Sequence, residues 1–267
     1  MSQNKEPELP QEEVPESAMR RRVLKSFGLF ALAATVPVGV YTWIKNSPNL
    51  LGTKKPLRRV LDANEQIART YFSNTNLVKT YPLEAAARTP RVNGFDGLHT
   101  PLADDWKLQV DRPGTTEPLL LTMDDIRALP KQELIYDFKC VEGWSQVQYW
   151  GGVRLSDFLT HYKLGTRSSN APSVDNTDDL YKHIGMETPD KEYYVGIDIE
   201  SAMHPQTLLA YELNGQPINA QHGAPVRLII PVKYGVKNLK RIGRIFFSDT
   251  RPRDFWAERG YDYYVGL

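Results

Sequence analysis

The sequence predicts an α+β domain built around a mixed sheet, on three observations. The second half is a succession of short alternating or apolar runs bounded by turn residues, helical patterns are few, and no internal repeat is visible. A chain of 267 residues can form one large domain or two small ones. With 33 Lys and Arg against 32 Asp and Glu, it carries no charge excess that would favour a nucleic-acid partner.

Residues 1–18 are rich in Glu, Gln and Pro and read as a disordered tail. Residues 19–45 combine Arg20-Arg21-Arg22-Val23-Leu24-Lys25 with an apolar run from Phe27 to Ile44. Paired arginines ahead of such a run resemble a twin-arginine export signal, with Val23-Leu24-Lys25 where that consensus has Phe-Leu-Lys. A plain membrane anchor with basic flanks is the alternative, and Pro37 should kink such a helix. Residues 46–57 contain Pro48, Gly52 and Pro56 and read as a linker, so the globular domain is expected over 58–267.

Within that domain a helix is expected over Leu61–Arg69, broken by Ser73-Asn74-Thr75-Asn76, residues that usually form turns. Trp106–Val110 alternates like a strand. Thr122 should cap a helix that has Asp124 and Asp125 in its first turn and ends before Pro130. Residues 131–139 then alternate through Leu134, Tyr136 and Phe138 as a strand, Trp150-Gly151-Gly152 reads as a turn, and Ser156 as the cap of a helix over Asp157–Tyr162. Residues 165–179 read as a surface loop. Further strands are expected over Tyr181–Glu187, Tyr193–Ile197, Thr207–Leu213, Val226–Ile230 and Arg241–Phe247, with Asn214-Gly215 as a hairpin turn. The aromatic residues from Phe255 to Tyr264 should pack back onto the domain.

Chemistry has few places to sit. The sequence has no Gly-rich nucleotide loop, no Gly-x-Ser-x-Gly elbow and no zinc-type spacing of its five His and single Cys. Cys140 stands at a strand end beside Glu142, Gly143 and Trp144, where it could be a nucleophile, a metal ligand or a small buried hydrophobe. Arg227 lies in an otherwise apolar strand and needs an anionic partner, either an internal carboxylate or a bound anion. Lys233, Lys237, Asn238 and Lys240 cluster in a Gly-containing segment, either a solvated basic loop or a set of donors for a phosphate.

Three segments, Phe138-Lys139-Cys140-Val141-Glu142-Gly143-Trp144-Ser145, Ala202-Met203-His204-Pro205 and His222-Gly223-Ala224-Pro225-Val226-Arg227, precede a run from Lys233 to Lys240. Their order and spacing resemble the sulfite-oxidase superfamily of molybdopterin enzymes, over roughly residues 60 to 250, with its sulfoxide reductases the nearer likeness. The resemblance implies the sulfite-oxidase-type molybdopterin-binding fold and one molybdenum-molybdopterin per chain. Cys140 would be the thiolate on molybdenum. Arg227 with Asn238, Leu239 and Lys240 would hold the pterin phosphate, and Asn74, Thr188 and His222 would contact the cofactor. At Asn74 the family has an Asn-Asn pair, from which Thr75 departs; at His222 the sulfoxide reductases have Asn.

On that resemblance, the expected activity is two-electron oxygen-atom transfer. Glu142 and Trp144 would line the open side, with Glu142 either a proton carrier or a salt-bridged surface acid. Sulfite oxidases resemble Cys-x-Gly-Asn-x-Arg after the cysteine; here an acid and an aromatic take that place, which favours a neutral S-oxide, free or protein-bound, over sulfite. Sulfite oxidation and a membrane-tethered, non-catalytic binding module are the rival readings. With no haem or iron-sulfur motif in the chain, electrons should come from a separate haem or quinol-linked protein. A periplasmic location, a possible inner-membrane tether and a monomeric state complete the expectations.

Overall fold

The computed structural model describes residues 16–173 and 175–267 and divides into two units, Met1–Asn49 with Lys54–Pro56, and Leu50–Thr53 with Leu57–Leu267. Residues 1–15 of the expected tail lie outside the described residues. Its last three residues do not continue it: helix α1 spans Glu16–Asn46 and runs through Pro37 without interruption. Within α1, Val23–Asn46 is 24 residues long and apolar enough to cross a bilayer, by length and composition.

In the second unit the helix expected over Leu61–Arg69 is longer, α2 spanning Lys55–Tyr71. Pro56 falls in its first turn, where a missing N–H costs nothing, so the proline starts the helix and does not belong to a linker. Unusually, α2 turns charge inward. Arg58 is 2% exposed and donates to the carbonyls of Tyr261 at 2.7 Å, Leu51 at 2.5 Å and Ala257 at 2.9 Å. Glu65, 1% exposed, pairs with Arg69 at 2.9 Å and Arg251 at 2.6 Å.

Two five-stranded sheets follow. Strands β1 (Leu108–Val110) and β2 (Leu119–Leu121) lead into α3 (Met123–Arg127), which Thr122 caps in a reciprocal box with Asp125, as the sequence implies. Strands β3 (Lys131–Lys139) and β4 (Ser145–Arg154) form a long antiparallel pair, followed by α4 (Leu155–His161). Then come β5 (His183–Glu187), β6 (Tyr194–Asp198), α5 (Ile199–Ala202), β7 (Leu208–Leu213), β8 (Gln216–Pro217), β9 (Arg227–Ile229) and β10 (Arg244–Ser248). One sheet runs β8-β7-β4-β3 with β9 also on β7, all antiparallel. The other runs β2-β1-β10-β5-β6 and is mixed, because β10 meets β1 in parallel. Asn214-Gly215 makes the β7–β8 hairpin, Leu213 facing Gln216.

The main core gathers Leu108, Val153, Phe158, Ile184, Leu209, Leu228 and Ile245, all fully buried. A second cluster, with Leu134, Tyr136, Phe138 and Trp150, occupies one face of β3 and β4, and Trp144 packs against it.

Two expectations change here. Gly151-Gly152 is no turn: β4 runs straight through it, with a register shift against β7 between the two glycines. A Cβ on Gly152 would stand 2.2 Å from the Leu209 carbonyl oxygen, so the glycine permits close approach of two strands. Gly152→Ala should therefore cost about 2–3 kcal/mol through forced overpacking, read as a lower denaturation midpoint. Helix α4 begins at Leu155, one residue before the expected cap, because Leu155 is fully buried and its N–H bonds the Thr207 carbonyl at 2.9 Å.

Candidate functional site

Strand β3 delivers Cys140 to the mouth of a cavity, and the next residues fold tightly around it. The Cys140 N–H bonds the Trp144 carbonyl at 2.9 Å and Gly143 N–H bonds the Cys140 carbonyl at 3.1 Å. Gly143 has φ +85°, a left-handed conformation that favours glycine at this bend. Cys140 is 7% exposed, and Asn93 donates to its thiol, Nδ2 to Sγ at 3.6 Å. Trp144 stacks on Phe138 at 6.0 Å, donates from its indole N–H to Glu142 at 3.1 Å, and carries the Arg91 guanidinium 4.6 Å above its ring. Glu142 itself is exposed.

The opposite wall of the cavity is cationic. Arg227, on β9, is 4% exposed and donates to the carbonyls of His222 at 2.9 Å and Asn238 at 3.0 Å, with its guanidinium 4.7 Å from the Trp150 ring. Its Nε is buried without a hydrogen-bond partner. No carboxylate offsets its burial, which pulls it down to about 10; only the Tyr136 and Tyr193 hydroxyls act in the other direction. Lys240 is pushed down to about 7 by burial and then by Arg227, and donates to the carbonyls of Gly94 at 2.9 Å and Gln221 at 2.7 Å. Burial, Arg227 and Lys240 lower His222 to about 4, so its imidazole is neutral near pH 7. Gly223 sets this spacing, since a Cβ there would lie 2.7 Å from that of Lys240.

Two cations, Arg227 and Lys240, held below their ordinary pKa and neither paired to a carboxylate, suit a bound anion. The orphaned Nε of Arg227 supplies a donor for it. The donor set thus fits a phosphate-bearing cofactor, with a soft thiol in the same cavity for a metal. Among the described residues there is no group of three or more His, Cys, Asp and Glu that could hold a metal ion.

Of the residues singled out from sequence, Cys140, Glu142, Trp144, His222, Arg227, Asn238 and Lys240 all line this cavity. Asn238 shapes its wall, accepting from Ile230 N–H at 2.8 Å and donating to the Tyr234 carbonyl at 3.2 Å. Leu239 is fully buried in the core, and only its backbone can serve the loop. Thr188 is not among the lining residues: its hydroxyl bonds Asp190 at 2.6 Å and it caps the turn to Tyr193. Asn74 is not among them either. The segment after α2 crosses the middle of β3, where Tyr81 N–H bonds the Ile135 carbonyl at 3.0 Å, and reaches the cysteine end only later. There Arg91 N–H meets Gln146 at 2.9 Å and Asn93 meets Cys140. Lys233 and Lys237 also leave the expected phosphate loop, being buried in ion pairs with Asp198 at 3.1 Å and Asp254 at 2.5 Å.

Sequence reading missed Arg91, Asn93, Asp96, Tyr193, Trp256 and Tyr261, which line the same cavity. The Arg-Val-Asn-Gly-Phe-Asp run was a usable signal, with its polar residues in a Gly-containing loop. The two C-terminal aromatics were read only as packing.

Residues 97–256 match the family described as oxidoreductase molybdopterin binding domain. A protein of Azospira oryzae named as protein-methionine-sulfoxide reductase subunit YedZ1 is 34% identical over 198 residues, 73% of this chain and 70% of that one. The protein-methionine-sulfoxide reductase catalytic subunit MsrP of Campylobacter jejuni is 35% identical over 176 residues, 61% of this chain; the chain thus spans 57% of that relative. Among solved structures, the sulfane dehydrogenase SoxCD of Paracoccus pantotrophus aligns over 67% of this chain and 46% of its own, with TM-score 0.44 and 17% identity.

Proposed function

Because the chain belongs to the oxidoreductase molybdopterin-binding family, we propose that it is an exported molybdenum enzyme reducing an S-oxide, such as methionine sulfoxide, to the sulfide. The observation that carries this reading is the buried, carboxylate-free Arg227 with its orphaned Nε, in one cavity with the only cysteine of the chain.

Cys140 would hold molybdenum, and Arg227, Lys240, His222 and the backbone of residues 238–240 the pterin and its phosphate. When bound, the cofactor supplies oxygen-atom transfer, in which the S-oxide takes up two electrons and two protons and leaves as sulfide and water. The chain's own residues orient and admit the substrate. Trp144, Trp256 and Tyr261 give the rim apolar area for a thioether body, and Glu142 and Asp96 oppose entry of a dianion such as sulfite. Glu142, which accepts from the Trp144 indole, would exchange protons with solvent.

Assay of the purified protein with a reduced viologen and a panel of S-oxides and N-oxides tests this. Oxidation of the donor is expected with S-oxides, and brisk sulfite oxidation with an electron acceptor would instead support the sulfite-oxidising reading. The electron donor in the cell is proposed to be a separate haem or quinol-linked protein.

For location we propose the periplasm, with Arg20-Arg21 as a twin-arginine address, residues 19–45 as the signal or anchor and the catalytic domain following it. Both arginines are exposed on α1. A cofactor inserted in the cytoplasm requires export of a folded protein, which this route provides. Replacing both Arg20 and Arg21 by Lys should trap active protein in the cytoplasm; undiminished periplasmic activity would refute the address.

A further inference from the structure

A helix on a protein surface ordinarily turns its apolar stripe inward. In α2 the charged face is inward, fixed by the many bonds of Arg58 and Glu65, and the apolar face is outward. Leu57, Val60, Ile67 and Tyr71 are 43%, 56%, 59% and 78% exposed. At 100° per residue these four fall within an arc of roughly 80°, with Asn64 the polar residue among them. Beyond the helix Leu77, 61% exposed, lines a cavity together with Tyr71 and Leu267.

We propose that this outward face of α2 docks on a lipid surface, lying in the headgroup region of the bilayer that α1 enters. The proposal rests on reading α1 as a membrane anchor. Residues 47–54 alone separate the two helices, and eight extended residues reach at most about 30 Å, so the chain itself keeps α2 near that surface. Charge favours lipid as well: Lys55 and Arg59 are exposed on α2, whereas Asp62, its side chain 48% exposed, is paired with Arg251, which suits anionic headgroups. Asp62 and Glu65, the helix's two acids, face the domain and pair with Arg251. An apolar stripe on a helix that also exposes basic residues is the pattern of an interfacial helix.

The test uses the full-length holoenzyme in nanodiscs of phosphatidylcholine and phosphatidylglycerol. Ile67→Cys is labelled with an environment-sensitive fluorophore, and the parent chain, whose one thiol is buried, serves as the labelling blank. Glu117→Cys, on the exposed segment before β2, is the reference. The label at position 67 should be quenched by headgroup-level doxyl lipid at least about threefold more than the label at 117. Adding Val60→Asp, at an exposed position, should bring it to the reference level while the protein stays with the discs. Equal quenching at 67 and 117 with the protein retained would overturn lipid docking and leave the anchor standing. A label at 67 shielded from aqueous iodide but untouched by doxyl lipid would mean a protein covers the stripe, which also overturns it. Loss of the protein from the discs would overturn the anchor and the docking together.

Discussion

Cys140→Ser should fold, lose its molybdenum and reduce no S-oxide. The substitution exchanges one atom at a strand end, in a turn whose bonds are made by backbone N–H and C=O groups, so the thermal midpoint of the apo-protein should barely move. A hydroxyl still accepts from Asn93. What it cannot do is replace a thiolate on a soft metal. The sequence offers no second cysteine, and among the described residues no metal-holding cluster stands in reserve. Losing a partner in the outer shell of a metal costs about 10- to 100-fold in affinity or activity, and loss of the protein's own ligand should exceed that. Metal analysis beside the viologen assay decides the matter. A Cys140→Ser protein with one molybdenum per chain and full turnover would refute the assignment; a wild-type protein without molybdenum, made in a cofactor-competent exporting host, would favour the binding module.

Why the sequence announces Cys140 and hides Asn93 is a matter of range. The cysteine sits at the end of a nine-residue alternating strand, whose inward residues Leu134, Tyr136 and Phe138 could be read from a period of two. The Thr122 cap and the Asn214-Gly215 hairpin are local in the same way. Asn93 reaches the thiol because the segment after α2 travels along β3 and β4, making contacts that no local pattern encodes. Gly152 misled for a related reason, since glycine in a strand and glycine in a turn look alike until the neighbouring strand is placed. Among the basic residues of the segment from 227 to 240, sequence could not say which had partners. Asp198 and Asp254 lie far away in the chain and claim Lys233 and Lys237, leaving Arg227 and Lys240 for an anion. The inverted face of α2 was legible as a period but not as a direction, because periodicity marks two faces without saying which one the domain covers.

Arg227→Met should release the cofactor from an otherwise folded protein. In the cofactor-free protein the guanidinium is a buried cation held only by carbonyls and the Trp150 ring, so its removal relieves a desolvated charge. Against that relief, the His222 and Asn238 carbonyls lose their partner, at about 1–3 kcal/mol each. The melt should therefore shift modestly, whereas retained cofactor, measured as bound phosphorus and molybdenum, should fall to background; normal occupancy in this variant would refute the anion role. Arg227→Lys keeps the charge but not the planar fork, and partial retention is expected. Proton linkage supplies a second, independent reading on Lys240. Its folded pKa of about 7 without an anion should rise towards its ordinary 10.5 once an anion sits beside it. Between those values the bound state holds more protons than the free state, so anion affinity should strengthen as pH falls from about 10 to 7, by at most about tenfold per pH unit for one proton. In the free protein the sign is opposite: the unfolded chain holds the extra proton across the same window, so Lys240 makes the apo-protein more stable as pH rises. Titration of apo-protein with inorganic phosphate across that range, repeated in Lys240→Gln, checks the first sign, and denaturation midpoints of the two apo-proteins over the same range check the second; an affinity independent of pH in the parent would remove Lys240 from the anion site.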